Sequence, residues 1–137
     1  MENLKSIIAT FYSKCLTVNP ETDVAVLMSQ ILDPGFQSKG SDEVKSREHL
    51  IGQIQFFWNL VPDLKWEVQE MVQDGNKVVV RSLVSGTPNG NFMGTPTNGT
   101  RSFKTMTIDI HTIENGQVVE VYHLEDWATA IRQLSAS

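Results

Sequence analysis

The stretch LKWEVQEMVQDGNKVVVRSLVSG, residues 64–86, decides the fold because apolar and polar side chains alternate along it. Leu64, Trp66 and Val68 alternate with polar neighbours, a period of two that is typical of a β-strand with one buried face. The DGN at Asp74 to Asn76 predicts a hairpin turn into a second strand. Before Pro62 the apolar period is helical, so the sequence predicts helices first and an antiparallel sheet after them.

Three helices are predicted upstream of this point. Apolar residues at steps of three and four predict a first helix over Glu2–Leu16, with a stripe formed by Leu4, Ile7, Ile8, Phe11 and Cys15. A second helix, near Glu21–Leu32, ends before proline, because the residue that precedes proline disfavours helical geometry. The third, Arg47–Leu60, is capped by Ser46. The polar residues 33–45 are predicted to form a loop.

The second half predicts further strands. Residues 101–113 and 117–126 form a hairpin through the ENG at 114–116, and residues 127–134 form a short closing helix. Residues 87–100 are rich in Gly, Pro and Asn, which predicts a long connection with a bulged strand piece around Asn91 to Met93. The fold class is therefore α+β, with three N-terminal helices on a strongly curved antiparallel sheet that encloses a cavity.

Length and composition indicate one globular domain, residues 1–137. The composition is 40% hydrophobic and 20% charged, with a net charge of −5 and no Lys/Arg cluster, which argues against nucleic acid or an anionic membrane as a partner. The N-terminal residues lack the apolar core of a signal peptide, and no run of about 18 apolar residues indicates a membrane span. A cytoplasmic location is expected.

Metal and disulfide chemistry are not predicted. The single cysteine, Cys15, excludes an intrachain disulfide and a cysteine-based metal site, and its place on an apolar stripe predicts burial. No His, Asp or Glu residues have the spacing of a metal-ligand motif. We therefore expect no metal.

Several C-terminal motifs carry a family resemblance. These are Gly86-Thr87, the connection FMGTPTNG at 92–99, the turn Asn115-Gly116, the strand-ending Asp126 and the closing Gln133-Leu134. Together with the order of elements, they resemble the SnoaL-like polyketide cyclases of the NTF2-like superfamily. The resemblance implies an NTF2-like cone and cofactor-independent aldol cyclisation or isomerisation of a small hydrophobic carbonyl compound. The alternative is a non-catalytic small-molecule-binding or dimerisation module of the same fold.

Asp126 is the first candidate catalytic residue. Counting outward from the turn at Gly116, Tyr122, Leu124 and Asp126 share one face of the strand, so Asp126 points into the cone if Leu124 does. The resemblance places the family's catalytic Asp here, as a general acid/base whose pKa an apolar cone would raise. The alternative is an N-cap of the final helix, a position at which Asp is common.

His111 is the second candidate. The same count places it nearly opposite Tyr122 and on one face with Thr107 and Asp109. The resemblance implies that a histidine here holds the substrate's carbonyl oxygen or orients Asp126. The alternative is an exposed histidine on a half-solvated sheet. The other two histidines, His49 and His123, are predicted to face solvent.

Aromatic and apolar residues are the candidates for ligand contact. The residues expected to line the cone are Tyr12, Phe57, Trp58, Tyr122 and Leu124, and Tyr12 could also donate to an oxyanion. A ketosteroid isomerase of this fold would need an acidic base near Phe36 to Ser38, and an epoxide hydrolase would need an Asp two residues after Arg81; both are missing. The apolar residues Val79, Leu83 and Val119 are expected to face outward and predict a homodimer through the sheet.

Overall fold

The first helix changes its hydrogen-bonding pattern halfway along. The computed structural model describes residues 3–135, and in it α1 (Lys5–Thr10) continues directly into a π-helical segment, Phe11–Leu16. The predicted helix over Glu2–Leu16 is thus present from Lys5 onward, and Glu2 lies outside the described residues. The wider π-helical turn buries Phe11, Tyr12 and Cys15 against the sheet.

Two further helices begin at side-chain caps. In α2 (Val24–Ile31) the side chain of Asp23 accepts a hydrogen bond from the backbone N–H of Val26. In α3 (Arg47–Leu60) the side chain of Ser46 accepts from the N–H of the third helical residue. The bounds of α3 are those predicted, whereas α2 is shorter at both ends than the predicted helix.

The segment predicted as a polar loop, residues 33–45, is instead mostly β-structure. It contributes β1 (Leu32–Lys39) and β2 (Val44–Ser46), which pair as an antiparallel hairpin. Phe36 and Ser38 are buried, 2% exposed each. Tertiary pairing has overridden the loop-like local composition, because β1 also lies alongside a strand some 80 residues later in the chain.

Within the part of the chain that the structure describes, the main sheet has six strands in the order β2-β1-β8-β7-β4-β3. Its four long strands are β3 (Lys65–Asp74), β4 (Lys77–Gly86), β7 (Phe103–Glu114) and β8 (Gln117–Glu125). Neighbouring strands are antiparallel except β1 and β8, which are parallel. Both predicted hairpins are confirmed, and the helices pack on the concave face as an α+β cone.

The connection between β4 and β7 carries a small hairpin. β5 (Asn91–Phe92) and β6 (Thr95–Pro96) pair with each other, and Phe92 is fully buried. The chain ends in α4 (Trp127–Ser135). None of the helices within residues 3–135 is long and apolar enough to cross a membrane.

A bulge in β8 decides which side chains enter the cone. Thr112 of β7 pairs with Glu120, but the next residue of β7, Ile113, pairs with Val118, which leaves Val119 as an extra residue. One extra residue turns every later side chain of β8 to the opposite face. His111 therefore pairs with Val121 and not with Tyr122, so the predicted register of this hairpin is wrong by one residue.

Candidate functional site

A cavity of about 100 Å³ lies between the concave face of the sheet and the helices. Its wall is mostly apolar, with side chains from the π-helical segment, α3, the start of α4 and strands β1, β2, β3, β5, β7 and β8. The polar side chains in the wall are Ser38, Lys45, Gln53, Asp109, His111, His123 and Glu125. A mostly apolar cavity with a few convergent polar groups has the character of a site for a small organic ligand.

Four aromatic rings form one end of the cavity wall. Phe57 of α3 stacks on Trp127, with ring planes 14° apart and centroids separated by 6.4 Å. Phe92 makes edge contacts with both of these rings and lies 5.2 Å from the ring of Phe103. This end of the cavity therefore offers aromatic surface to a bound ligand.

Asp109 is a deeply buried carboxyl group in the cavity wall. It projects from the inner face of β7, is 5% exposed, and accepts a hydrogen bond from the hydroxyl of Tyr12 at 2.5 Å. Burial raises its pKa to about 7, and the hydrogen bond from Tyr12 opposes that rise. The charge of Glu125 raises the pKa further, whereas His123 lowers it. Asp109 can therefore both hold and release a proton near neutral pH.

His123 and Glu125 form a second polar pair, on β8. Nδ1 of His123 lies 2.6 Å from Oε2 of Glu125, and both side chains are more than four-fifths buried. This hydrogen bond raises the pKa of His123, against the effect of burial. His123 is the direct cross-strand partner of Asp109. Its Nε2 is buried without a hydrogen-bond partner among residues 3–135, on the side where Gly40 lies.

His111 is the neutral imidazole of the site. The structure places it 2% exposed on the inner face, where Thr107 and Asp109 are also buried. Nε2 of His111 lies 2.9 Å from the hydroxyl of Tyr12. Burial lowers the pKa of His111 to about 3, and burial together with the charge of Asp109 raises the pKa of Tyr12 well above its ordinary value. Both rings are therefore uncharged at neutral pH.

Asp126 lies outside the cavity. Its side chain is exposed and accepts hydrogen bonds from the backbone N–H of Thr129 at 3.1 Å and from the Thr129 hydroxyl at 2.7 Å. These bonds lower the pKa of Asp126. The prediction that Asp126 points into the cone is wrong, and the alternative, an N-cap of α4, describes its position.

The bulge at Val119 accounts for this error and for two others. Tyr122 and Leu124 are 50% and 66% exposed on the outer face, so the expectation that they line the cone is also wrong. His123, predicted to face solvent, points inward for the same reason.

The remaining ligand-contact candidates divide between the cavity and the core. Phe57 lines the cavity. Trp58 packs against the core and donates its Nε1–H to the carbonyl of Cys15 at 2.9 Å. Tyr12 is buried next to the cavity wall and reaches it through Asp109 and His111. His49 is exposed, as expected.

Sequence reasoning missed Asp109, His123 and Glu125 as site residues. Asp109 had a visible signal, because strand alternation already put it on one face with His111. His123 and Glu125 had no such signal, because the bulge that turns them inward cannot be recognised from the pattern of residues. Within residues 3–135 no group of three or more His, Cys, Asp or Glu side chains is arranged to hold a metal.

Comparison with known proteins gives the site its context. The sequence model of the SnoaL-like polyketide cyclase family matches residues 6–134. IdmH, a candidate polyketide cyclase from Streptomyces antibioticus, is 25% identical, with a TM-score of 0.82 over 98% of this chain and 100% of that one. TsrD from Streptomyces laurentii is 26% identical, with a TM-score of 0.78 over 98% of this chain and 93% of that one.

A third structure matches in fold alone. It is a candidate SnoaL-like polyketide cyclase from Jannaschia, 20% identical, with a TM-score of 0.86 over 98% of this chain and 92% of that one. No curated protein matches the chain.

Proposed function

The chain belongs to the SnoaL-like polyketide cyclase family, and from that premise we propose that it is a cofactor-independent cyclase or isomerase of small hydrophobic carbonyl compounds. One observation carries the proposal. Asp109 is a carboxyl group in the wall of an apolar cavity, and burial raises its pKa to about 7. A group with such a pKa exchanges protons efficiently in both directions at neutral pH.

Ring closure by aldol addition needs a base and then an acid. The base removes a proton from the carbon next to a carbonyl, the resulting enolate attacks a second carbonyl carbon, and the new alkoxide takes up a proton. Asp109 can perform both steps in sequence, accepting the proton as a carboxylate and returning it as the acid. No electron leaves or enters the substrate, so the scheme needs no redox partner.

His123 is the proposed donor to the developing oxyanion. Its Nδ1 is held by Glu125 at 2.6 Å, which fixes the ring and stabilises its charged form. The buried Nε2, without a partner among residues 3–135, then carries an N–H available to a substrate oxygen. A fixed donor in a cavity of low polarity stabilises an enolate or alkoxide far better than the same donor in water.

The cavity wall indicates the class of substrate. The aromatic end formed by Phe57, Phe92, Phe103 and Trp127 suits a planar, conjugated or aromatic portion of a ligand, while the acid and the donor lie on strands β7 and β8. A cavity of about 100 Å³ has room for a compact reacting group but not for an extended chain. We therefore propose a compact carbonyl compound as the substrate.

A homodimer is also part of the proposal. The outer face of the sheet carries a row of apolar side chains that are 38–66% exposed: Met106, Ile108, Ile110, Tyr122 and Leu124. A contiguous apolar face of this kind marks an association surface, and a second copy of the chain would cover it symmetrically. The row includes two of the residues that sequence reasoning had placed in the cone.

The test is turnover of a panel of β-keto esters and polyketide-like carbonyl compounds, with products identified by mass spectrometry. We compare the parent protein with Asp109→Asn and His123→Gln, and use Asp126→Asn as the matched carboxylate control. Loss of Asp109 should lower kcat on the order of 100-fold or more, the usual contribution of general acid–base catalysis. Asp126→Asn should retain the parent rate.

Two other outcomes separate the alternatives. Loss of turnover in Asp126→Asn but not in Asp109→Asn would overturn the assignment and restore the one based on sequence. Tight binding of panel compounds without turnover by the parent would favour the non-catalytic binding module.

A further inference from the structure

Tyr12 connects two groups of the cavity wall through a single hydroxyl. The hydroxyl lies 2.5 Å from Oδ2 of Asp109 and 2.9 Å from Nε2 of His111. All three side chains are at least 95% buried. A phenol carries one proton, so it can donate to only one of these two neighbours at a time and must accept from the other.

The direction of these hydrogen bonds depends on the state of Asp109. When Asp109 is a carboxylate, Tyr12 donates to it and His111 donates Nε2–H to the phenol oxygen. When Asp109 is protonated, it donates to the phenol oxygen, Tyr12 donates to Nε2, and the imidazole proton must be on Nδ1. The two states differ by one proton and by the tautomer of His111.

From this arrangement we propose that Tyr12 and His111 form a proton relay, in which a proton taken up at His111 Nδ1 appears on Asp109. Nδ1 takes a proton from a hydronium ion supplied by solvent, which leaves as water, Nε2 gives its proton to the phenol oxygen, and the phenol gives its original proton to Oδ2 of Asp109. The network changes charge from −1 to 0, and His111 and Tyr12 are neutral before and after.

Two features of His111 fit a relay better than a simple structural role. Its Nδ1 is buried without a hydrogen-bond partner among residues 3–135, although the ring lines the cavity. The ring is also a poor site for a positive charge, since burial lowers its pKa to about 3. A relay avoids that charge, because one nitrogen loses a proton as the other gains one.

The π-helical backbone at Tyr12 and the titratable groups around Asp109 are also consistent with the relay. Tyr12 lies in the π-helical segment Phe11–Leu16, and such insertions are frequent at functional sites. The other titratable groups that face Asp109 are His123 and Glu125 on β8, with Lys45 of β2 in the same cavity wall. None of these is hydrogen-bonded to Tyr12, so the relay runs through the phenol alone.

The catalytic use of the relay rests on the proposed function of Asp109. A ligand that covers Asp109 would block the direct exchange of protons between Asp109 and water. The relay supplies a second route by which the carboxyl group returns to its starting protonation state. Tyr12 and His111 are thus positioning and proton-transfer residues that act through Asp109.

The test is ¹⁵N NMR of the His111 ring in the intact protein from pH 5 to pH 9, with ¹³C NMR of the Asp109 carboxyl group in parallel. We expect His111 to change from the Nδ1–H tautomer at low pH to the Nε2–H tautomer at high pH, at the same midpoint as Asp109. In Tyr12→Phe the tautomer should no longer change with pH while Asp109 still titrates. In Asp109→Asn it should be the same at every pH.

The contradicting results are equally specific. A single tautomer across the whole titration of the parent, conversion to imidazolium at that midpoint, or an unchanged switch in Tyr12→Phe would each overturn the relay. The parent and Asp109→Asn spectra decide the question even if Tyr12→Phe does not fold. None of these readouts requires turnover, so a failure of the proposed cyclase activity is distinguished from a failure of the relay.

Discussion

Replacing Asp109 with asparagine should change how the stability of the protein depends on pH. In the folded protein burial raises the pKa of this carboxyl group from 3.8 to about 7. Between those two values the folded protein holds a proton that the unfolded chain has already released. Stability therefore falls as pH rises through this window and is lowest above the folded pKa. The asparagine side chain of the variant carries no charge at any pH, so the variant lacks this contribution.

The size of the effect follows from the pKa change. At about 1.4 kcal/mol for each unit, the rise disfavours the charged form of the folded protein by about 4 kcal/mol. The free energy of unfolding of Asp109→Asn, relative to the parent, should thus increase by about 4 kcal/mol between pH 4 and pH 8. Comparing the same pair of proteins at two pH values cancels the constant effect of the substitution, and the contribution of His111 is common to both.

The assay is urea unfolding at pH 4, 6 and 8, followed by the fluorescence of the three tryptophans. Asp74→Asn, at the exposed end of β3, is the control for loss of a surface carboxylate. A stability difference between Asp109→Asn and the parent that does not change with pH would refute the reasoning, as would one that decreases.

Three further predictions concern the N-cap residue Asp126, Gly40 next to the proposed donor His123, and the apolar outer face of the sheet. Asp126→Ala removes both cap hydrogen bonds and should lower the Tm by a few degrees with no loss of turnover, as measured by calorimetry and the panel assay. Gly40→Ala places a methyl group 3.5 Å from Nε2 of His123. It should lower kcat while circular dichroism stays unchanged; full activity would argue against Nε2 as the donor. The double variant Ile108→Glu, Leu124→Glu should sediment as a monomer where the parent sediments as a dimer, and a monomeric parent would end the dimer proposal.

The parts of the fold that local sequence controls were predictable. The bounds of α3 follow from Ser46 and Pro62, since a cap and a proline act within one turn of the helix. The turn at Asp74 to Asn76 likewise fixes the hairpin of β3 and β4. By contrast, β1 was missed because its partner β8 is distant in the chain, and no local pattern records a pairing over that distance.

The candidate site was predictable only in part. Asp109 and His111 follow from the alternation of β7, which is regular over the residues that line the cavity. The inner face of β8 depends on the bulge at Val119, and both faces of that strand carry apolar residues. Hydrophobic alternation therefore could not distinguish the two registers, and the register without the bulge places Asp126, and not His123, on the inner face.

The central claim is that an apolar cavity keeps Asp109 ready to act as an acid at neutral pH. The most direct measurement is a ¹³C NMR titration of its carboxyl group in the folded parent protein, with the signal assigned by its loss in Asp109→Asn. The structure predicts a midpoint of about 7. A midpoint near 4, the ordinary value for aspartate, would contradict the account, because the carboxylate of Asp109 would then be a much weaker base than the removal of a proton from carbon requires at neutral pH.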